Sequence, residues 1–166
     1  MSGEVNPAGG AIDPDIDVHE PGQRAELSRT HGAVLAVISA GGAVGALGRY
    51  GLALLWPTPV GGFPWATFVT NVIGCFLIGV LMVVVTEIGA AHPLVRPFLG
   101  VGILGGFTTF STYANDTRAL LQPDSASTAF AYFTATLLCA LLATSAAVAL
   151  TRAVARKVWR REEVVR

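Results

Sequence analysis

The side chains best suited to chemistry are hydroxyls, one amide and a run of glycines, all set among apolar residues. Positions 102 to 113 read Gly102–Ile103–Leu104–Gly105–Gly106–Phe107–Thr108–Thr109–Phe110–Ser111–Thr112–Tyr113. Three glycines and four aliphatic hydroxyls occupy this stretch. Glycine in a helix interior costs about 1 kcal/mol relative to alanine. The neighbouring β-branched threonines stiffen the side chains without restoring that propensity. The stretch therefore predicts a broken helix. Its apolar flanks give it membrane-spanning length. Non-helical backbone at membrane depth is tolerated only where protein covers it or where it lines a polar cavity. An ion site is the chemistry such a break suits.

Other uncharged donors recur at helical spacing. Thr67 and Asn71 are four apart and share a helix face. An Asn in hydrocarbon must find partners. Its partner is either another helix, as polar glue, or a hydrated path. Tyr132, Thr136 and Thr144 fall on one fourfold track, with Ala140 interrupting it. Hydroxyls often bond their own helix carbonyls, so this track says little by itself. Together with Thr67, Asn71, Ser111 and Thr112 it forms one wall of a narrow channel. Such a lining donates hydrogen bonds and carries no permanent charge. It can replace the hydration shell of a small anion without trapping it, because conduction needs weak, multi-site binding. Phenyl ring edges are electropositive and add to it. Arg49 lies seven residues before Trp56, roughly 10 Å inside a span end at the helical rise. It either caps carbonyls and contacts headgroups by snorkelling, or gives positive potential to an anion vestibule.

Enzymatic signatures are missing from the sequence. It has no HExxH, GxSxG or GxxxxGK[ST] pattern and no nucleic-acid-binding motif. His19, His31 and His92 are isolated, and no carboxylate pair sits in a span centre. Cys75 and Cys139 lie among apolar residues without a CxxC partner and read as buried free thiols.

Four apolar segments must position these groups. The chain has 166 residues, 52% hydrophobic and only 13% charged, against about 25% charged in soluble domains. Between Ala33 and Leu150 the only charges are Arg49, Glu87, Arg96, Asp116, Arg118 and Asp124. The reading is an all-α integral membrane domain over 32–151, with spans of about 32–56, 63–86, 94–121 and 126–150. Each reaches the roughly 20 residues needed to cross about 30 Å of hydrocarbon. Trp56, Trp65 and Trp159 sit at or just beyond span ends, as interfacial aromatics do. Gly41, Gly45 and Gly48 form a small-residue stripe for close helix packing. Residues 1–31 are polar and rich in Gly, Pro and acid, which predicts a disordered tail without a secretory signal. Residues 152–166 form a basic C-terminal tail that anchors the last span or lies on anionic headgroups. Four spans put both termini on one side. Arg24, Arg29, Arg96 and the C-terminal cluster share that side, which places the termini in the cytoplasm.

These motifs, in this order, resemble the Fluc (CrcB) fluoride channels of bacteria. The resemblance covers roughly Ala33 to Leu150. It rests on Gly41–Gly42 to Gly45–Ala46, Arg49–Tyr50, Thr67 to Asn71 with Gly74, and Gly102 to Thr112. It implies an antiparallel dimer of four-helix subunits in the bacterial plasma membrane, with two fluoride pores and passive fluoride export that gives fluoride resistance. It implies that Asn71 and the Phe110 ring line the pore, with Thr67, Ser111 and Thr112 as polar neighbours. It also implies a structural Na⁺ at the dimer centre, held by the backbone carbonyls of Gly105 and Thr108 from both subunits. Tyr113, Tyr132, Thr136 and the Arg49 vestibule complete the expected path.

The sequence departs from the family pattern in places. Tyr113 stands where a second pore phenylalanine is expected, which adds a hydroxyl beside the ion path. Asp116 replaces a longer Glu, and Ala140 interrupts the hydroxyl track. The strong Lys/Arg bias suits a subunit inserted one way and paired with an oppositely oriented homologue, whereas a homodimer needs dual insertion. A small multidrug exporter has the same architecture but needs a membrane-embedded carboxylate, and the first span offers Arg49 instead. A non-transporting assembly subunit would explain the glycine stripe but not the hydroxyls, Asn71 and the break together.

Overall fold

The computed structural model describes residues 21–88 and 92–165, with side chains over 32–87 and 92–157. Every regular element among the described residues is helical. Helix α1 is Pro21–Leu55 and α2 is Trp65–Val83, which a wide-turned π segment, Val84–Ile88, continues. The third segment comes in pieces. A π-wound run, Arg96–Leu104, closes in one α turn, Gly105–Phe107; together they are called α3. Thr108 and Thr109 are extended, and α4 follows as Phe110–Leu120. Helix α5 is Ala126–Val165. Three stretches, Gly32–Leu55, Trp65–Glu87 and Ala126–Lys157, are each long and apolar enough to cross a membrane unaided.

The helix break falls where the glycine and threonine run predicts it. Two boundaries differ from the sequence reading. Helix α1 is described from Pro21 onward, so 21–31 is helical where a disordered tail was expected; residues 1–20 lie outside the described residues. The basic tail is likewise helical, as the end of α5. Residues 151–165 contain no Gly or Pro, and their Arg, Ala and Glu favour helix. Forty helical residues measure roughly 60 Å, about twice the hydrocarbon thickness. Helix α5 therefore continues well past the apolar layer.

Packing pairs α1 with α3, and α2 with α5; α4 also rests on α5. Glycine makes the first contact possible. A Cβ on Gly41 would lie 2.6 Å from the Phe98 carbonyl oxygen, and one on Gly45 would run into the Ile103 carbonyl. A Cβ on Gly106 would strike the Gly42 carbonyl. The stripe read from the sequence thus serves close α1–α3 approach. The 57–62 turn uses Gly61 at φ 71°, a conformation that favours glycine. Trp56 and Trp65 stack across that turn with centroids 6.2 Å apart. The side chain of Trp159 lies outside the described residues.

Candidate functional site: a polar break between two cavities

Breaking a helix inside an apolar segment strands backbone donors and acceptors, and each needs a partner. Side chains supply them here. The Asn71 Nδ2 donates to the Thr109 carbonyl at 3.0 Å, and its Oδ1 accepts the Thr109 N–H at 2.9 Å. Thr109 then caps α4: its Oγ1 accepts the Thr112 N–H at 3.1 Å, the usual service of a threonine at a helix start. Arg49 Nε donates to the Gly106 carbonyl at 3.2 Å. Of the two readings of Arg49, carbonyl capping is therefore met. The same residue also lines a cavity.

Gly74 brings α2 close enough for this arrangement. A Cβ there would collide with the Thr108 methyl. Asn71, one helical turn earlier, is consequently held against the extended pair.

Thr109 is shared between two cavities. The smaller, about 110 Å³, is lined by Arg49, Tyr50, Ala53, Ala66, Thr67, Thr70, Thr109 and Thr112. The larger, about 250 Å³, is lined by Asn71, Cys75, Thr108, Thr109, Phe110, Tyr113, Thr136, Leu137 and Ala140. Neither lining contains a carboxylate. Arg49, Thr67 and Thr112 thus meet in one cavity, and Asn71, Phe110, Tyr113 and Thr136 in the other. Ser111 and Tyr132 line neither. Ser111 is exposed, with its hydroxyl 3.3 Å from the Thr109 hydroxyl. Tyr132 is wholly buried and packs edge-on against Phe63 at 5.2 Å.

Thr136 is the unusual member of the larger cavity. It is 4% exposed, and its Oγ1 has no hydrogen-bond partner. Buried hydroxyls are nearly always paired, so this one is available to something that enters. Asn71 adds a second donor, because its amide carries two N–H groups and Thr109 takes one. Phe110 is 79% exposed and lines the same cavity.

Two sequence readings need correction. The Tyr113 hydroxyl is not free beside the path: it donates to the Phe133 carbonyl at 2.8 Å, with the two rings stacked 5.7 Å apart. Both cysteines are half-buried rather than buried, and Cys75 lines the larger cavity. Sequence reasoning also passed over partners that only the fold reveals. Asp116 Oδ2 accepts from Thr67 Oγ1 at 2.8 Å and from the Tyr132 hydroxyl at 3.4 Å, joining α2, α4 and α5. Thr109 was visible as part of the break but not as its cap. A threonine just after a glycine pair, where an apolar span must restart its helix, is the signal that marks it.

The break also redirects two backbone donors. The Thr109 N–H, which a continuous helix would give to the Gly105 carbonyl, goes to Asn71. The Thr112 N–H, the corresponding donor for Thr108, goes to the Thr109 side chain. The carbonyls of Gly105 and Thr108 are thereby released from their helical donors.

The sequence is similar to those of known proteins. Residues 36–148 match the family described as CrcB-like protein, Camphor Resistance (CrcB). The chain is 53% identical over 125 residues to fluoride-specific ion channel FluC 2 of Streptomyces avermitilis, covering 75% of this chain and 79% of that one. It is 57% identical over 115 residues to fluoride-specific ion channel FluC 1 of Streptomyces coelicolor, covering 69% and 75%. It is 58% identical over 109 residues to fluoride-specific ion channel FluC 2 of Nocardia farcinica, covering 66% and 78%. The chain belongs to the CrcB family.

Proposed function

We propose that the chain is a subunit of a fluoride-selective channel that lets cytoplasmic fluoride leave the cell passively. The names of its relatives supply the ion. The observation that carries the reading is the unpartnered, buried Thr136 hydroxyl in a cavity free of carboxylates. A dehydrated fluoride needs donors in place of water, and a fixed cation would hold it too long. Thr136 Oγ1, the second N–H of Asn71 and the Phe110 ring edge are donors of that kind. Arg49, in the neighbouring cavity, draws anions toward the polar face of the break.

The path needs a second subunit. Phe110 is far more exposed than a ring in an apolar chain's core, and the larger cavity opens on that side. An oppositely oriented partner, either an identical chain or a homologue, would close it. The one-sided Lys/Arg distribution favours a homologue and cytoplasmic termini in the plasma membrane. Na⁺ fits the break chemically. The carbonyls released at Gly105 and Thr108 are hard oxygen donors of the kind alkali ions take. Bound there, the ion would pin the two breaks together.

Liposomes carrying the purified chain, alone and with an oppositely oriented homologous subunit, test the function. Fluoride release with chloride retained is the expected result, lost in Phe110→Ile. Chloride release at a similar rate would defeat the reading. Reporter fusions at Arg166 test orientation, since equal signal on both sides rules out fixed insertion.

A further inference from the structure

The hydroxyl track on α5 runs Tyr132, Thr136, Ala140, Thr144, and it loses its donor at Ala140. Thr144 does not repair the gap, because its Oγ1 is occupied by the Cys75 and Ala140 carbonyls, at 3.1 and 3.0 Å. Cys75, one helical turn beyond Asn71 on α2, lines the larger cavity beside the gap, its carbonyl sharing the Thr144 hydroxyl with that of Ala140. Its thiol is half-buried and, among the described residues, makes no hydrogen bond. The neighbouring Thr136 hydroxyl, 96% buried and unpartnered, marks the same cavity as one that awaits a hydrogen-bonding guest.

We propose that the Cys75 thiol is a specificity-determining donor of the ion path, supplying from α2 the contact that Ala140 no longer supplies from α5. This inference rests on the channel reading above. A thiol is a weak donor, and a weak donor suits a path in which an anion must be released as readily as it is taken up. The asymmetry is specific: the second cysteine, Cys139, is half-buried on α5 and lines neither cavity.

Fluoride release from liposomes, measured on the full chain, tests the assignment. Cys75→Ala should slow release about twofold, the low end for a hydrogen bond, as suits a weak donor. Cys75→Ser should stay near the wild-type rate. Adding Ala140→Ser to Cys75→Ala should restore most of the loss, which a purely structural role for Cys75 would not allow. A covalent readout is independent of rate. Methyl methanethiosulfonate converts the thiol to a methyl disulfide: the Cys75 sulfur attacks the sulfenyl sulfur, methanesulfinate leaves with the electron pair, and the thiol proton goes to water. It should block wild-type and Cys139→Ala channels but not Cys75→Ala, and fluoride at high concentration should slow the block. Release from Cys75→Ala at the wild-type rate, or equal block of Cys75→Ala by the reagent, overturns the role of Cys75. Failure of wild-type vesicles to release fluoride, both with the chain alone and with an oppositely oriented homologous subunit added, overturns the channel reading itself.

Discussion

Asn71 and Thr109 are joined by two hydrogen bonds that imitate a strand pairing: the side-chain amide donates to the Thr109 carbonyl and accepts from the Thr109 N–H. One side chain on α2 thereby satisfies both backbone groups of a residue in the third segment. A helix can be interrupted in an apolar layer only if such substitutes exist. Asn is suited to the task because its amide offers one donor and one acceptor in the geometry of a peptide.

Asn71→Asp therefore removes the donor and sets an acceptor against the Thr109 carbonyl. An unsatisfied buried group costs about 1–3 kcal/mol, and a charge costs more. The thermal midpoint in detergent should fall and fluoride release should stop. Asn71→Ala should lower the midpoint by less, since it leaves the Thr109 groups unpaired without adding a repelling oxygen. Unfolding followed by circular dichroism on both variants checks the order.

The glycine stripe makes a sharper contrast between neighbours. A Cβ at Gly41 would press on the Phe98 carbonyl and the Gly102 backbone, whereas one at Gly42 meets nothing within 4 Å in the subunit. Backbone cannot yield as a side-chain tip can. Gly41→Ala should destabilise the chain by about 1–3 kcal/mol through overpacking, visible as poor expression and an early thermal transition. Gly42→Ala should be neutral or add up to about 1 kcal/mol of stability through lower unfolded-state entropy. Equal loss at both positions would mean that Gly42 is covered by a second subunit.

Much of this was legible before the fold was known, and for physical reasons. The Gly105–Gly106 pair followed by Thr108–Thr109 announces a break through local propensity alone. Asn71 in an apolar run announces an obligatory partner, though not which one. The identity of that partner depends on how α2 docks, and α2 docks where Gly74 admits the Thr108 methyl. The direction of the Tyr113 hydroxyl was hidden for the same reason: the Phe133 carbonyl that receives it lies twenty residues away on α5. The helical stretch 21–31 was misjudged because polarity was taken as disorder, while after Pro21 and Gly22 it contains no helix breaker before Gly32.

Asp116 offers a measurement of coupling across helices. Its carboxylate takes the Thr67 hydroxyl at 2.8 Å and the Tyr132 hydroxyl at 3.4 Å. A double-mutant cycle between Thr67→Val and Asp116→Asn should give a coupling of about 1–2 kcal/mol, as for a hydrogen bond to a charged group. The longer Tyr132 contact should couple less, so Tyr132→Phe with Asp116→Asn should give under about 1 kcal/mol. A zero value for the Thr67 pair would remove Asp116 from the bridge among α2, α4 and α5.

The proposed Na⁺ site predicts a sodium dependence, by way of the two redirected N–H groups. Because Thr109 N–H goes to Asn71 and Thr112 N–H goes to the Thr109 hydroxyl, the Gly105 and Thr108 carbonyls are left to other partners. If a cation joins them across two subunits, dimer stability must rise with its concentration by mass action, about 2.7 kcal/mol at a hundredfold excess over the dissociation constant. Replacing Na⁺ with N-methylglucamine should lower the thermal midpoint of the dimer and shift it toward monomer on a sizing column. Thr109→Val should blunt that response. It removes the hydroxyl that caps α4 and leaves the Thr112 N–H unpaired, which loosens the extended pair whose carbonyls would hold the ion. A midpoint unaffected by Na⁺ in the wild-type protein would show that the released carbonyls are satisfied within the protein.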